Sequence, residues 1–451
     1  MPKPGNVPAC PGAPAARSAG RITKEYRISL VTPLFGGGVE PGQPDETFPI
    51  RATSIRGHLR YWWRVMVGCE LGGGMWQREE EIFGSTNFPS PLSVRVIERP
   101  QIQCVDPTYG EKFGPVAYAL FPAVENRQQV VKEGVAFRLE VTWHDVDGLQ
   151  SLRRVQNACR KRNGEPLLPD TIEDIGADIT LALEAWCAFG GLGARTRRGC
   201  GAVFCEMLAT RLPPFPGTIL VGQSQTNALA AWKESVKAYR DFRQSPRGRK
   251  HQKTIGFKTV TVPGRSHWPE ADSIRTISGS ALRGAPHIGS TGVPADEDTQ
   301  DHSVPVVPEA LLPAFPRAIL GLPINFHFAD SPGKDRPGQP NRDPQDTQLL
   351  PVLPKMEADR MSSPVITRPL WLAGGWCPAV MILKQTIADG LRLRIVGKRA
   401  RADGTDLSHD LSLERVINPS LAVLRPMRGH ASALDALCDF LRFNGFREIG
   451  R

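Results

Sequence analysis

The sequence predicts an α+β fold with two ferredoxin-like (RRM-like, split βαβ) modules in tandem and large loop insertions. Three observations support this class. Apolar patterns in the first half follow the order β-α-β-β-α-β, which is typical of the ferredoxin-like arrangement. Short motifs of the first half recur in the second. The chain of 451 residues contains 44 glycines and 41 prolines, which indicate many loops and argue against a helical bundle.

The first half supplies the elements of one module in chain order. Its patterns predict helices over 51–67, 78–83 and 172–189, and strands over 25–35, 92–98, 134–143 and 202–208. On the first helix, Ile55, Leu59, Trp62 and Met66 recur at helical spacing and form one apolar stripe. The short second helix is additional to the β-α-β-β-α-β order.

The second half repeats helices and strands after a composition shift near residue 212. The predicted helices are 226–243, 307–320 and 431–444, and the predicted strands are 322–328, 362–372, 378–386 and 391–397. Two echoes suggest a duplicated module: the sequence TSIR at 53–56 recurs as DSIR at 272–275, and a Ser-Pro pair precedes a strand at Ser90-Pro91 and at Ser363-Pro364.

These elements predict the domain organisation. We expect a disordered tail over 1–22, a first domain over 23–211 with a glycine-rich loop at 190–201, and a second domain over 212–451. Within the second domain we expect two departures from the module, which are a basic helical and loop insertion over 222–255 and a disordered, proline-rich loop over 331–347.

Composition excludes several classes of protein. No run of about 18 apolar residues exists, so no membrane span is expected. The first twenty residues lack the apolar core of a secretory signal. The nine cysteines are scattered and contain no C-x-x-C, so we expect free thiols in a reducing cytoplasm and neither disulfides nor zinc. The net charge of +10 favours a polyanionic partner, nucleic acid first.

The first candidate site is the helix over 51–67. Arg56, Arg60 and Arg64 share one face, Arg51 stands at the helix start, and no acid lies between 51 and 64. A helix N-terminus attracts phosphate, and Ser54 could add a hydroxyl to the same oxygen. The alternative is a solvated arginine face, or arginines that pair with acids elsewhere in the chain.

The second candidate site is the loop 190–201, which holds five glycines together with Arg195, Arg197 and Arg198. Successive N–H groups in such a loop can form an anion nest, and arginine binds phosphate with two donors. The loop follows its helix and lacks G-K-[ST], so it is neither a Walker loop nor a Rossmann fingerprint. The alternative is a flexible turn whose arginines face water.

Two weaker features accompany these loops and helices. The stretch 240–258 contains seven Lys or Arg against one acid, and it is either a phosphate-binding segment or a solubilising surface loop. Tyr61, Trp62 and Trp63 cannot all face the core; at least two are expected to pack there, and one is a candidate for stacking on a base.

Catalytic motifs are absent from the sequence. It contains no G-x-S-x-G and no H-E-x-x-H, and no local signature surrounds any cysteine. His58, on the arginine helix, could serve as an acid or base toward RNA. Asp45 and Glu46 lie in the preceding loop, without the paired carboxylates of a metal site. We therefore expect no catalytic residue, no metal and no cofactor.

Several islands of sequence carry a family resemblance. TPLFGGG (32–38), IRATSIRGHLRYWWR (50–64), EEEIFGST (79–86), SPLSVRV (90–96) and the glycine-rich loop resemble the RAMP superfamily of CRISPR-associated proteins. In the second half, GRSHWPEADSIR (264–275), FPRAILGLPINFHF (315–328) and DRMSSPVITRPL (359–370) resemble the Cmr branch of that superfamily, which belongs to type III-B effectors.

The resemblance implies two RAMP domains and a non-catalytic RNA-binding subunit of a cytoplasmic type III-B (Cmr) ribonucleoprotein for antiviral defence. Such a subunit binds guide RNA towards its 3′ end, helps to capture complementary target RNA, and has other Cmr subunits as partners. Its S-x-[RK]-G-x-L-[RK] motif, which contacts guide phosphates, falls here on Ser54, Arg56, Gly57 and Arg60.

Together, the two sites and the motif echo define the predicted RNA-binding residues. They are Arg51, Ser54, Arg56, Gly57, Arg60, Arg64, Arg195, Arg197, Arg198 and Arg275. Two other functions stay open: a metal-independent RAMP endoribonuclease that processes CRISPR RNA, with His58 as general acid or base, and a scaffold subunit that contacts only protein neighbours.

Overall fold

The structure is a computed structural model. It describes residues 20–86, 88–98, 100–110, 114–169, 172–245, 247, 251–255, 258–262, 266–277, 307–328, 346–352, 360–384, 390–395 and 408–450. The predicted disordered tail lies outside this part except for residues 20–22, of which Arg21 and Ile22 begin the first strand. The predicted loop 331–347 lies outside it up to residue 345.

The described part contains α-helices and antiparallel sheets, so the predicted α+β class is confirmed. The helices are α1 (Ala52–Met66), α2 (Met75–Phe83), α3 (Pro115–Ala119), α4 (Phe121–Glu125), α5 (Val146–Asn163), α6 (Gly176–Phe189), α7 (Ala228–Gln244), α8 (Glu270–Ile277) and α9 (Ala433–Phe443). The strands are β1 (Arg21–Leu30), β2 (Leu92–Val96), β3 (Cys104–Val105), β4 (Val130–Val131), β5 (Ala136–His144), β6 (Val203–Phe204), β7 (Gly217–Val221), β8 (His251–Ile255), β9 (Lys258–Val262), β10 (Ile324–Phe326), β11 (Thr347–Val352), β12 (Val365–Leu372), β13 (Gly375–Leu383), β14 (Gly390–Ile395), β15 (Ser408–Leu411) and β16 (Arg447–Ile449).

The first sheet has the strand order β2-β5-β1-β6, with antiparallel neighbours. Alternation builds it: Tyr26, Ile28 and Leu30 of β1 are buried, and the residues between them point to the other face. Helices α1 and α6 pack together, and their side chains share one core with the sheet. Trp63 ties the two helices, since its Nε1 donates to Asp178 Oδ1 at 2.7 Å.

The other face of the first sheet carries charged side chains that pair with one another. Arg138 lies 2.8 Å from Glu98 and 3.6 Å from Glu25, and Arg95 lies 3.1 Å from Glu140. These pairs balance the charges of Arg95 and Arg138 on this face. The exposed positions of β1, β2 and β5 bring no aromatic ring to the central strands, which is where an RRM stacks its bases.

The second sheet repeats the connectivity of the first. Its order is β12-β13-β7-β16, and the chain runs β7, α7, β12, β13, α9, β16 around it. The helical part of the predicted insertion 222–255 is therefore α7, a core helix of this unit that packs on β12 and β13. A third antiparallel sheet, β10-β11-β14-β15, shares its core.

The two motif echoes fall differently on this repeated topology. Ser90 before β2 and Ser363 before β12 occupy equivalent places. Each hydroxyl accepts the N–H of the residue two positions on, at 3.1 Å for Leu92 and 3.2 Å for Val365. By contrast, residues 272–275 lie on α8, whereas the counterpart of α1 is α7. The echo of TSIR (53–56) as DSIR (272–275) therefore does not mark equivalent positions.

Some predicted elements differ from the structure. The first strand runs over 21–30, not 25–35, and the long helix α5 between β5 and α6 was missed. The predicted helix over 307–320 is two short 3-10 helices, Glu309–Leu311 and Pro316–Leu320. Prolines at 308, 313 and 316 explain this, because proline removes an N–H donor and clashes with the preceding turn of an α-helix.

The second sheet is buried on both faces. Val365 and Val380 pack in the core beneath α9, whereas Ile366, Leu370 and Met381 pack in the core of the first unit. Arg368, on the strand β12 between them, is also buried. Its guanidinium donates to the carbonyl oxygens of Gly190 at 2.6 Å and Cys187 at 2.9 Å, and thereby fastens the end of α6 to the second unit.

We predict that Arg368→Met lowers the free energy of unfolding by about 3 kcal/mol, because methionine leaves buried carbonyl oxygens without donors. Chemical denaturation checks this. The control Arg95→Met removes an exposed arginine with one ion pair and is expected to change stability by less than about 1 kcal/mol. Equal loss in both variants would contradict the assigned role of Arg368.

Candidate nucleic-acid interface

The loop before α1 is organised by Asp45. Its Oδ2 accepts from Arg51 Nη2 at 2.7 Å, and its Oδ1 accepts the N–H of Phe48 at 2.8 Å and of Thr47 at 3.0 Å. The hydrogen bonds from Phe48 and Arg51 hold the pKa of Asp45 below its ordinary value. Asp45 therefore shapes the loop, and Arg51, at the N-cap of α1, is paired with it.

Two of the helix arginines pair with an acid from α2. Glu79 is buried, and its carboxylate accepts from Arg60 Nε and, at 2.8 and 2.6 Å, from Arg64 Nε and Nη2. Burial alone would raise the pKa of Glu79, but the hydrogen bonds from Arg64 and Arg60 hold it below its ordinary value. Arg60 and Arg64 therefore follow the alternative interpretation, in which the helix arginines pair with an acid elsewhere in the chain.

Arg56 differs from its neighbours on α1. Its Nη2 donates to the carbonyl oxygen of Phe83 at the end of α2, and the described part of the chain offers it no carboxylate. Burial, and then the nearby charge of Arg60, lower the pKa of Arg56. Two guanidinium groups are therefore held near one another, and an anion beside them would relieve their repulsion.

An exposed stripe runs along α1 beside these arginines. It consists of Ser54, Gly57 and Tyr61, which lie at i, i+3 and i+7, and we name it the α1 stripe. A Cβ built on Gly57 would meet no atom within 4 Å. Trp62 and Trp63 turn inward, so the expected core packing of two of the three aromatics is confirmed.

The glycines of the loop 190–201 have packing roles. Gly199 and Gly201 have φ angles of +73° and +66°, a region that favours glycine. A Cβ on Gly199 would collide with the Thr367 carbonyl, and one on Gly201 with the Leu192 carbonyl. Gly199 therefore lets the loop backbone approach the second sheet, and Gly201 lets the two ends of the loop approach each other.

The arginines of this loop are used largely for contacts within the chain. Arg195 donates to the Ala119 carbonyl, and Arg198 donates to the Val365 carbonyl at 3.1 Å with its guanidinium 4.6 Å from the ring centre of Tyr239. Arg197 donates to the Ser363 carbonyl at 2.6 Å and to the Tyr61 hydroxyl at 2.7 Å. Arg197 therefore brings the loop to the α1 stripe.

Arg275 lies apart from these groups. It is buried on α8, 3.1 Å from Asp272, with its guanidinium 5.1 Å from the ring centre of Phe328. The basic stretch 240–258 is described in part, and in it Arg240 pairs with Asp241 at 2.9 Å. Burial would lower the pKa of Arg243, but the interactions with Tyr239 and Tyr118 raise it above its ordinary value. The side chains of residues 248–258 lie outside the described part.

His58 follows Gly57 on α1. It is half-buried, and burial lowers its pKa. No carboxylate or other hydrogen-bonding partner orients its ring within the described residues. The same part of the chain holds no group of three His, Cys, Asp or Glu that could bind a metal ion, and no helix long and apolar enough to cross a membrane.

Sequence reasoning missed Glu79 and Trp76. Glu79 belongs to the run Glu79-Glu80-Glu81, and the run does not reveal which carboxylate faces α1. Helical phase gives the only signal, since Glu79 lies three residues before the buried Ile82 and four before Phe83. Trp76 stands exposed beside Arg64, with the guanidinium 5.3 Å from its ring centre.

Comparison with known proteins identifies the class of the first unit. Residues 27–204, which include α1 and the loop 190–201, match the family model of the RAMP superfamily. The predicted resemblance to this superfamily is therefore confirmed over this stretch of the chain. No curated protein matches the chain.

Two solved structures of Cmr proteins show a weak likeness to the chain. The chain is similar to Cmr1 from Pyrococcus furiosus in its apo form, with 14% identity and a TM-score of 0.38, over 86% of this chain and 94% of that one. It is also similar to a chain of a type III-B Cmr-beta complex bound to cognate target RNA, with 15% identity and a TM-score of 0.22, over 42% of this chain and 59% of that one. At TM-scores this low, the likenesses carry no argument about the fold.

Proposed function

We propose that this chain is subunit one of a cytoplasmic type III-B (Cmr) CRISPR effector, a non-catalytic subunit that binds guide RNA towards its 3′ end and helps to capture target RNA. In this proposal the two repeated units are ferredoxin-like RAMP domains. The RAMP match over residues 27–204, the motif islands of both halves and the net charge of +10 support it.

Gly57 is the observation that carries the RNA-binding part of the proposal. Glycine inside a helix costs roughly 0.5–1 kcal/mol relative to alanine, so it needs a reason. The reason at Gly199 and Gly201 is close packing, but nothing in the described chain approaches Gly57. An exposed gap between Ser54 and Tyr61, beside Arg56, suits a phosphodiester chain that lies against the helix backbone.

The arginines near the α1 stripe would contact the RNA in different ways. Arg56 lacks a carboxylate partner in the described chain and is the strongest candidate for a phosphate. Arg60 is about four-tenths exposed while it contacts Glu79, so it can contact an oxygen anion from its open side. Arg197, in the loop 190–201, reaches the α1 stripe by donating a hydrogen bond to the Tyr61 hydroxyl. RNA bound here would be held through its backbone, without reading of base sequence.

We predict opposite effects of Gly57→Ala on stability and on binding. The variant should be more stable by about 0.5–1 kcal/mol, since alanine favours the helix and meets no neighbour. Its affinity for single-stranded RNA should fall, because the methyl group occupies the gap. Thermal denaturation and a filter-binding titration measure the two effects. Unchanged affinity would contradict the placement of RNA on the α1 stripe.

A second prediction concerns phosphate contacts. Arg56→Ala combined with Arg60→Ala should weaken RNA binding for every sequence tested, and should reduce the slope of log affinity against log salt by about 1.4, at about 0.7 per phosphate. The RNA from these titrations, analysed on a denaturing gel, should remain uncleaved, as expected of a non-catalytic subunit. The control is Arg95→Ala with Arg138→Ala, two ion-paired arginines on the exposed face of the first sheet, where the slope should not change. Equal slopes in both double variants would exclude α1.

Assembly is tested by co-purification. A tagged chain expressed in its native host should bring down CRISPR RNA together with a defined set of further proteins. Recovery of those proteins without RNA, after nuclease-free lysis, would instead favour the scaffold function.

A further inference from the structure

Trp76 is an aromatic side chain whose position the fold does not explain. It is the second residue of α2, and 64% of it is exposed to solvent, whereas Trp62, Trp63 and Trp186 lie in the core. An exposed indole forfeits the stabilisation that burial of its large apolar surface would give. Trp76, exposed beside α1, is therefore a candidate for contact with a ligand.

Arg64 fixes the ring from one side. The Arg64 guanidinium lies 5.3 Å from the centre of the Trp76 ring, a cation–π distance. That guanidinium is itself held by two hydrogen bonds to the buried Glu79 carboxylate. A buried acid thus fixes an arginine, and the arginine supports an indole that is open to solvent.

The segment before the ring carries no side chains, since Gly72, Gly73 and Gly74 precede α2. A Cβ on any of them would meet no atom within 4 Å, so packing does not require Gly73 or Gly74, whereas the φ of +53° at Gly72 itself favours glycine. Glu80, one turn after Trp76, is partly exposed, and its charge disfavours a phosphate there. The ligand group suited to this ring is flat, uncharged and able to stack.

We propose that Trp76 is the stacking platform for an unpaired base of the RNA whose phosphates lie along Arg56 and Arg60. This inference rests on the proposed function and adds to it a base contact outside the α1 stripe. Every nucleobase has a π-face, so the contact tolerates any sequence. The basic neighbourhood, with Arg64 beneath the ring, favours RNA over an apolar protein segment.

The test compares two RNA oligomers of equal length and charge, one of normal nucleotides and one of abasic residues. With the full chain, Trp76→Ala should weaken binding of the normal oligomer by about fivefold to 150-fold, the range for loss of one stacked base. It should leave binding of the abasic oligomer unchanged, and leave the salt slope unchanged because stacking displaces no counterions. Trp76→Phe should restore part of the affinity.

The matched control is Phe443→Ala. Phe443 is 79% exposed on α9, with the Arg428 guanidinium 5.1 Å from its ring centre, and this helix carries no predicted RNA-binding residue. Its loss should leave both affinities unchanged. Equal binding of the normal oligomer by wild type and Trp76→Ala would overturn the stacking proposal and leave the proposed function standing. The same conclusion holds if Trp76→Ala binds RNA normally but no longer co-purifies with a protein of the assembly. Failure of the wild type to bind either oligomer would overturn both.

Discussion

The buried guanidinium of Arg368 is the constraint on which the arrangement of the two units depends. It lies on a strand of the second sheet and donates to carbonyl oxygens of Gly190, Cys187 and Val203. Burial lowers its pKa to about 9, so the group is still charged at neutral pH. A charged donor among backbone oxygens fixes the end of α6 against β12, and the glycine-rich loop begins at that point. The first residue of the loop, Gly190, is therefore held against β12 where the loop crosses to the second sheet.

This constraint gives the loop arginines a structural purpose. Once Gly199 lies against Thr367, the side chains of Arg197 and Arg198 reach the strand that begins after Ser363. Their hydrogen bonds satisfy carbonyl groups where the two units meet. Arg197 still has its second nitrogen on the Tyr61 hydroxyl at the α1 stripe. The same basic glycine-rich loop therefore joins the two units and borders the proposed RNA-binding surface.

The sequence was informative where local periodicity decides the outcome. The apolar stripe of α1 predicted its buried face, with Ile55 and Leu59 inward, and the position of α7 came within two residues. Prediction failed where partners come from distant segments. Glu79 is 15 residues from Arg64 in sequence, and no helical spacing relates them. The strand predicted over 202–208 is only the two-residue β6, and β16 was missed. Both are fixed by pairing with β1 and β7, because three or fewer residues carry no alternation.

Charge patterns alone also overstate an RNA site, because arginine serves folding and binding with the same donors. The surroundings of a glycine distinguish a folding role from a binding role more clearly than the position of an arginine does. At Gly199 and Gly201 a side chain would strike backbone, so folding alone explains the residue. At Gly57 a side chain would meet nothing, and the helix bears the cost of a residue that weakens it. Folding leaves that glycine unexplained, and a ligand that needs access to the helix backbone explains it. Among the predicted residues, the case for binding is therefore strongest at Gly57 and the adjacent Arg56, and weakest at the buried Arg275.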